Sequence, residues 1–137
     1  MRKSVFAALT IIAIPALFFG YWLVSSNPKE KEPLSIEAST LMAEYLDNIV
    51  SEVDKKYKDK QMKVSGKVYS VRHDQGVVVL QGVVPHPAYN VVECYVPAQD
   101  RAIFNELAEN QPIVVQGRHA GWDFGSVRLH GCRVIAR

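Results

Sequence analysis

The sequence predicts a mainly β domain, a small closed five-stranded barrel with an amphipathic helix ahead of it, and three observations carry that expectation. The first is the stretch from Tyr57 to Val71, a basic lead-in that runs into a long alternating strand. Val64, Gly66 and Val68 lie two apart and so share one face, but the next apolar position, Val71, is three away. One residue has been inserted, as in a β-bulge, and Gly66 removes a side chain where a strand shared between two sheets must bend. The second observation is that four further short apolar or alternating runs follow, separated by turn or helix signals. The third is that helical spacing occurs only ahead of the first strand and once more between the third and fourth.

Taken in order, the chain of 137 residues opens with Met1-Arg2-Lys3-Ser4 and an uncharged apolar run from Val5 to Val24. Twenty residues at the helical rise make about 30 Å, enough to cross a bilayer, whereas a cleaved signal has an apolar core of roughly 7–15 residues. Tyr21 and Trp22 suit an interfacial aromatic belt, and Pro15 is tolerated in lipid. The expectation is a transmembrane anchor. Val24-Ser25-Ser26 also offers small residues to a signal peptidase, so residues 1–26 read as an anchor or a signal segment. Either way, the positive residues ahead of the run place the C-terminal part outside the cytoplasm, periplasmic or extracellular. No cysteine follows the run, which argues against a lipoprotein. Residues 27–34, with Pro28 and Pro33, read as a stiff, solvated linker, and residues 35–137 as the domain.

Within the domain, Ala38, Leu41, Met42, Tyr45, Leu46, Ile49, Val50 and Val53 follow one helical face and predict a single amphipathic helix from Ser35 to Lys56. It packs on its own barrel or is offered to a partner helix. Lys55, Lys56, Lys58 and Lys60 are interrupted by Asp54 and Asp59 and read as a solvated face. After the long first strand, His73-Asp74-Gln75-Gly76 is a turn and Val77 to Gln81 the second strand. Gly82 to Asn90, with Pro85 and Pro87, is a loop. The third strand, Asn90 to Val96, places Val92, Cys94 and Val96 on one face and Val91, Glu93 and Tyr95 on the other. Pro97 to Asp100 opens a short helix that carries Ile103, Phe104 and Leu107 inward. Ile113, Val115 and Gly117 belong to the fourth strand, Arg118 to Gly125 to a loop, and Ser126 to Ile135 to the fifth strand.

Five strands with one helix between the third and fourth describe an OB-fold, a partly open Greek-key barrel. The chain also resembles the tRNA-anti-like OB-fold family of exported or membrane-anchored bacterial proteins. The motifs that carry the resemblance are Tyr57-Lys58-Asp59-Lys60, Val64-x-Gly66-x-Val68-x-x-Val71, Val92-x-Cys94, Ile113-x-Val115-x-Gly117 and Val127-x-Leu129-x-x-Cys132. They span about residues 38–135. The resemblance implies the barrel and a role in binding nucleic acid or another oligomeric ligand.

Cys94 and Cys132 fall in the third and fifth strands, neighbours in such a barrel, and an exported domain permits a disulfide between them. Two buried thiols are the other reading. His73, His86, His119 and His130 show no paired ligand spacing and read as surface or loop histidines, so no metal or other cofactor is expected. The catalytic motifs that pair a nucleophile with a base, cradle a phosphate or hold zinc on a helix are absent from the sequence, and no enzymatic activity is expected.

The remaining candidate is a binding face. OB domains bind across strands two and three and the loops beside them, which here selects Lys67, Tyr69, Arg72, Tyr95, Arg118, His119, Trp122, Phe124 and Arg128. Cations interleaved with aromatics fit single-stranded nucleic acid. Against that role stands the charge: 16 Lys and Arg face 14 Asp and Glu, and without Arg2 and Lys3 the balance is 14 against 14. Such a domain lacks the basic footprint of a non-specific nucleic-acid binder. A protein or envelope ligand is therefore expected ahead of nucleic acid. Alternatively, Trp122 and Phe124 plug one end of the barrel and the charges are simply solvated.

Overall fold

The computed structural model describes residues 32–83 and 90–137. The apolar run from Val5 to Val24, most of the linker, and His86 lie outside the described residues. Among the described residues no helix is long and apolar enough to cross a membrane. The elements are β1 (Leu34–Glu37), α1 (Ala38–Asp47), α2 (Val50–Tyr57), β2 (Gln61–Arg72), β3 (Val77–Gln81), β4 (Val91–Tyr95), a 3-10 helix (Ala98–Glu106), β5 (Pro112–Asp123) and β6 (Ser126–Ala136).

Strand β2 organises them because it changes partner along its length. Gln61–Lys67 pair antiparallel with β5, and from Val68 onward the strand pairs antiparallel with β3. The circuit continues from β3 to β4, from β4 to β6 in parallel, and from β6 back to β5, which closes a barrel of five strands in OB-fold order. β1 adds in parallel beside the start of β2, with Leu34 opposite Met62. The inserted residue read from the sequence is present. Val68 pairs with Leu80 and Ser70 with Val79, leaving Tyr69 as the extra residue. Gly66 lies just ahead of this bulge and has a second reason to be glycine: a Cβ there would come 3.1 Å from the Cβ of Ala38. The start of α1 thus packs directly on the strand.

Inward residues of every strand form one core, including Met62, Val64, Leu80, Val92, Val115 and Leu129, all without solvent exposure. Burying each such side chain contributes about 1.5–3 kcal/mol. Cys94 and Cys132 lie inside it as a disulfide, with Cα atoms 5.5 Å apart, tying β4 to β6 as expected. α1 and α2 lie across the end where β2 begins, bringing Leu41, Met42, Tyr45, Val53 and Tyr57 into the core. The 3-10 helix brings Phe104 into the core, where its ring meets His73 edge-on at 5.7 Å.

Two sequence expectations need correction. The single helix from Ser35 to Lys56 is instead a strand and two helices: residues 34–37 are drawn into pairing with β2, and the helix breaks at Asn48 and Ile49. The Asn48 amide donates to the Glu44 carbonyl at 2.8 Å, a local bond that competes with continued helix. The loop expected over Arg118 to Gly125 is largely strand, since β5 runs to Asp123 and pairs with β6 up to Ser126. Register shifts at Gln116/Arg118 and His119/Gly121 let this hairpin coil, while the buried positions of β5 keep their two-residue spacing from Ile113 through His119.

Candidate binding face

The nine nominated residues do not form one site. Tyr69, Arg72, Tyr95 and Arg128 gather on the outer surface of β2, β3, β4 and β6. Beneath them, Val77, Val79 and Val91 form a second, buried apolar cluster against which Tyr69 and Tyr95 pack. The outer face of β3 and β4 therefore supports a small core of its own, because Tyr69 and Tyr95 bury the valines under their rings.

At the middle of this face sits Glu93, which the alternation placed outward but which was not among the candidates. It is only 7% exposed. Its Oε2 accepts from the Tyr95 hydroxyl at 2.9 Å and its Oε1 from the Ser126 hydroxyl at 3.2 Å. The Arg72 and Arg128 guanidinium groups approach it at 3.6 Å each, and Arg128 also pairs with Asp123 at 2.7 Å. Burial, then the bond to Glu93, pushes the Tyr95 hydroxyl above its usual titration range. The exposed His130 ring stacks on Tyr95, with centroids 5.0 Å apart and planes 6° from parallel. Two cations that read as open phosphate contacts in the sequence are thus paired with two carboxylates, Glu93 between them and Asp123 on Arg128.

Arg118, His119 and Trp122 lie elsewhere, at the end covered by α1 and α2. Arg118 is bound to Asp59 at 3.0 Å. His119 is a correction to the surface or loop reading: it is 1% exposed. The Tyr45 hydroxyl donates to Asp54 Oδ1 at 2.6 Å and stands 2.6 Å from His119 Nε2. With the phenolic hydrogen committed to the carboxylate, Nε2 must carry the imidazole proton and donate it to the tyrosine oxygen. That leaves Nδ1 as a buried acceptor without a partner. Burial lowers the pKa of His119, opposed by the charges of Asp54 and Asp59, and raises that of Tyr45. Trp122 stacks on Tyr45 at 5.0 Å, and its backbone N–H donates to Asp54 at 3.3 Å. Trp122 thus serves the core, the plugging alternative; Phe124 does not, since it is 95% exposed at the tip of the β5–β6 hairpin. Lys67 is exposed and lines an open cleft of about 490 Å³ with Glu37, Gln81 and Pro112. Among the described residues no group of three or more His, Cys, Asp and Glu side chains is arranged to hold a metal.

Sequence reasoning missed Glu93, Tyr45 and Asp54. Glu93 carried a signal, since an acidic residue on an apolar strand between Val91 and Tyr95 needs a partner. Tyr45 and Asp54 carried none, because they meet across a break between two helices where the sequence reads as one continuous helix.

The profile of the tRNA_anti-like family matches residues 2–133. The chain belongs to this family. Its tRNA-anti-like barrel is also similar to a crystal structure assigned to an aspartyl-tRNA synthetase from Leishmania major Friedlin, with 13% identity and a TM-score of 0.49. That match covers 89% of this chain and 26% of the other, so this chain spans about a quarter of that protein's length. A likeness at that score carries no functional information. No curated protein matches the sequence.

Proposed function

We propose that this tRNA-anti-like protein is a membrane-anchored, extracytoplasmic binding module, not an enzyme, and that its outer barrel face takes a protein or envelope ligand. The observation that carries the choice of ligand is Glu93, seated between Arg72 and Arg128. A nucleic-acid strand brings phosphates, which gain most from unpaired cations and are repelled by a buried carboxylate at the centre of the site. A polypeptide tolerates this arrangement, because it offers its own amides and side chains of either sign to a tyrosine-rich, partly apolar face. Anchoring is supported by Arg2 and Lys3 ahead of the apolar run, and exposure to an oxidising compartment by the Cys94–Cys132 bridge. The stacked pair of Tyr95 and His130 supports a second reading, single-stranded nucleic acid, since a nucleobase can extend such a stack.

The deciding experiment is binding of the full chain in detergent micelles to a fluorescent oligothymidylate across a salt series. No affinity tighter than micromolar is expected at physiological salt, while Glu93→Gln should unmask weak, salt-sensitive binding by freeing Arg72, with Arg128 still held by Asp123. Nanomolar, salt-sensitive binding by the natural chain would reverse the ranking. For the polypeptide arm, a photocrosslinker at Tyr69 in native membranes should give a discrete adduct that protease removes and nuclease does not.

A further inference from the structure

We infer that the end of the barrel covered by α1 and α2 docks on the surface of the bilayer, through Phe124 with Leu46 and Ile49; this rests on the anchored reading above. Phe124 is the most exposed large apolar residue of the described domain, and its φ of +45° is a left-handed conformation that a glycine adopts more cheaply. An aromatic side chain in that conformation, with almost no contact to its own domain, gains nothing in the isolated fold that offsets the strain. Leu46 and Ile49 are 49% and 63% exposed at the break between α1 and α2. They follow Tyr45 by one and four residues, and the Tyr45 ring stacks on Trp122, two residues before Phe124. The three apolar groups thus belong to one end of the barrel.

The direction of the chain gives that end its occupant. β1 runs parallel to β2 from Leu34 opposite Met62, and Gln61 lies opposite Arg118. The chain therefore enters the barrel at the end toward which β5 continues to Phe124. Only nine residues, Ser25 to Pro33, separate Leu34 from the apolar run, and nine extended residues reach about 30 Å. A tether with no more than that reach makes contact with lipid effectively intramolecular, so a few exposed apolar side chains suffice where they would not hold a free protein. Charge adds little. Lys55, Lys58 and Lys60 are exposed here, while Asp54 is turned inward to Tyr45 and Asp59 is held by Arg118; against them stand the exposed Asp47 and Glu52. The contact is accordingly with the apolar part of the interface, and salt should not release it.

The test is tryptophan quenching in the full chain reconstituted into phosphatidylcholine vesicles whose acyl chains are brominated near the headgroup. Phe124→Trp, read against the natural chain with its Trp22 and Trp122, should add emission that brominated lipid removes for the most part, in low and high salt alike. Adding Ile49→Ser should restore part of that emission. Emission from position 124 that brominated lipid leaves intact, in a chain that stays with the vesicles through an alkaline wash, would overturn the docking and leave the anchor standing. A chain released by the wash overturns both.

Discussion

The face around Glu93 and the cluster around His119 are built from the same kinds of residue, yet one faces outward and the other is sealed. In the first, a carboxylate holds two arginines that keep about two fifths of their side-chain surface in water. In the second, the Tyr45 hydroxyl bonds to both Asp54 and His119 across the join between helices and barrel, with the imidazole shut away from solvent. Interleaved cations and aromatics do not by themselves mark a binding surface. What separates the two is whether a helix lies over the strand: α1 and α2 cover β5 at His119, and no described helix covers β4 at Glu93.

The largest expected effect sharpens this contrast from below. Cys94→Ala with Cys132→Ala opens a loop of 38 residues and should cost about 4 kcal/mol in denaturant unfolding. Hydrogen exchange should rise first in β4 and β6, which carry the outer face, and later in α1 and α2. Uniform acceleration would show that the two regions are not separable. Next, Asp54→Ala strips the acceptor from both the Tyr45 hydroxyl and the Trp122 N–H, and a loss of about 3 kcal/mol is expected. Glu93→Ala should cost less, about 2 kcal/mol, because Arg72 can turn to water and Arg128 keeps Asp123. A larger loss than for Asp54→Ala would mean that the outer face is the more structural of the two.

Acid provides a milder test. The folded state holds His119 below its usual pKa, so the unfolded chain binds the extra proton first as pH falls. The contribution of this residue is complete above the ordinary histidine value of about 6.5 and is lost as pH falls from there toward the lowered folded value. The slope should not exceed about 1.4 kcal/mol per pH unit, and His119→Gln should flatten it, as read by urea melts at several pH values. Arg118→Ala, which breaks an exposed pair, should change stability by no more than about 0.5 kcal/mol.

The barrel was legible because its strands alternate: Val64 to Val71 revealed the bulge, and the two faces of Val91 to Val96 appear as read. The pairing of Cys94 with Cys132 followed from the adjacency of the third and fifth strands in the barrel together with the exported reading of the domain. The site was less legible. Tyr69, Arg72, Tyr95 and Arg128 do meet, but their neutralisation by Glu93 depends on register between β4 and β6, which no spacing along the chain encodes. His119 keeps the two-residue spacing of Ile113, Val115 and Gly117, but neither Arg118 nor His119 is a strand-forming apolar residue, so the continuation of β5 past Gly117 reads as a loop.

The change of partner along β2 also dictates the order in which the molecule can assemble. Lys67 and Gln61 pair with Pro112 and Arg118, 45 and 57 residues further on, so the hairpin of β2 and β3 can form early but the circuit cannot close until β5 arrives. Closing such loops costs entropy before any long-range contact repays it, which places folding in the slower, roughly millisecond-to-second class of β-rich domains. Cys132 lies further still along the chain, in β6, and its bridge to Cys94 ties β4 to the last strand of the circuit. The bridge therefore acts as a latch between β4 and the final strand, holding shut the circuit that β5 and β6 complete.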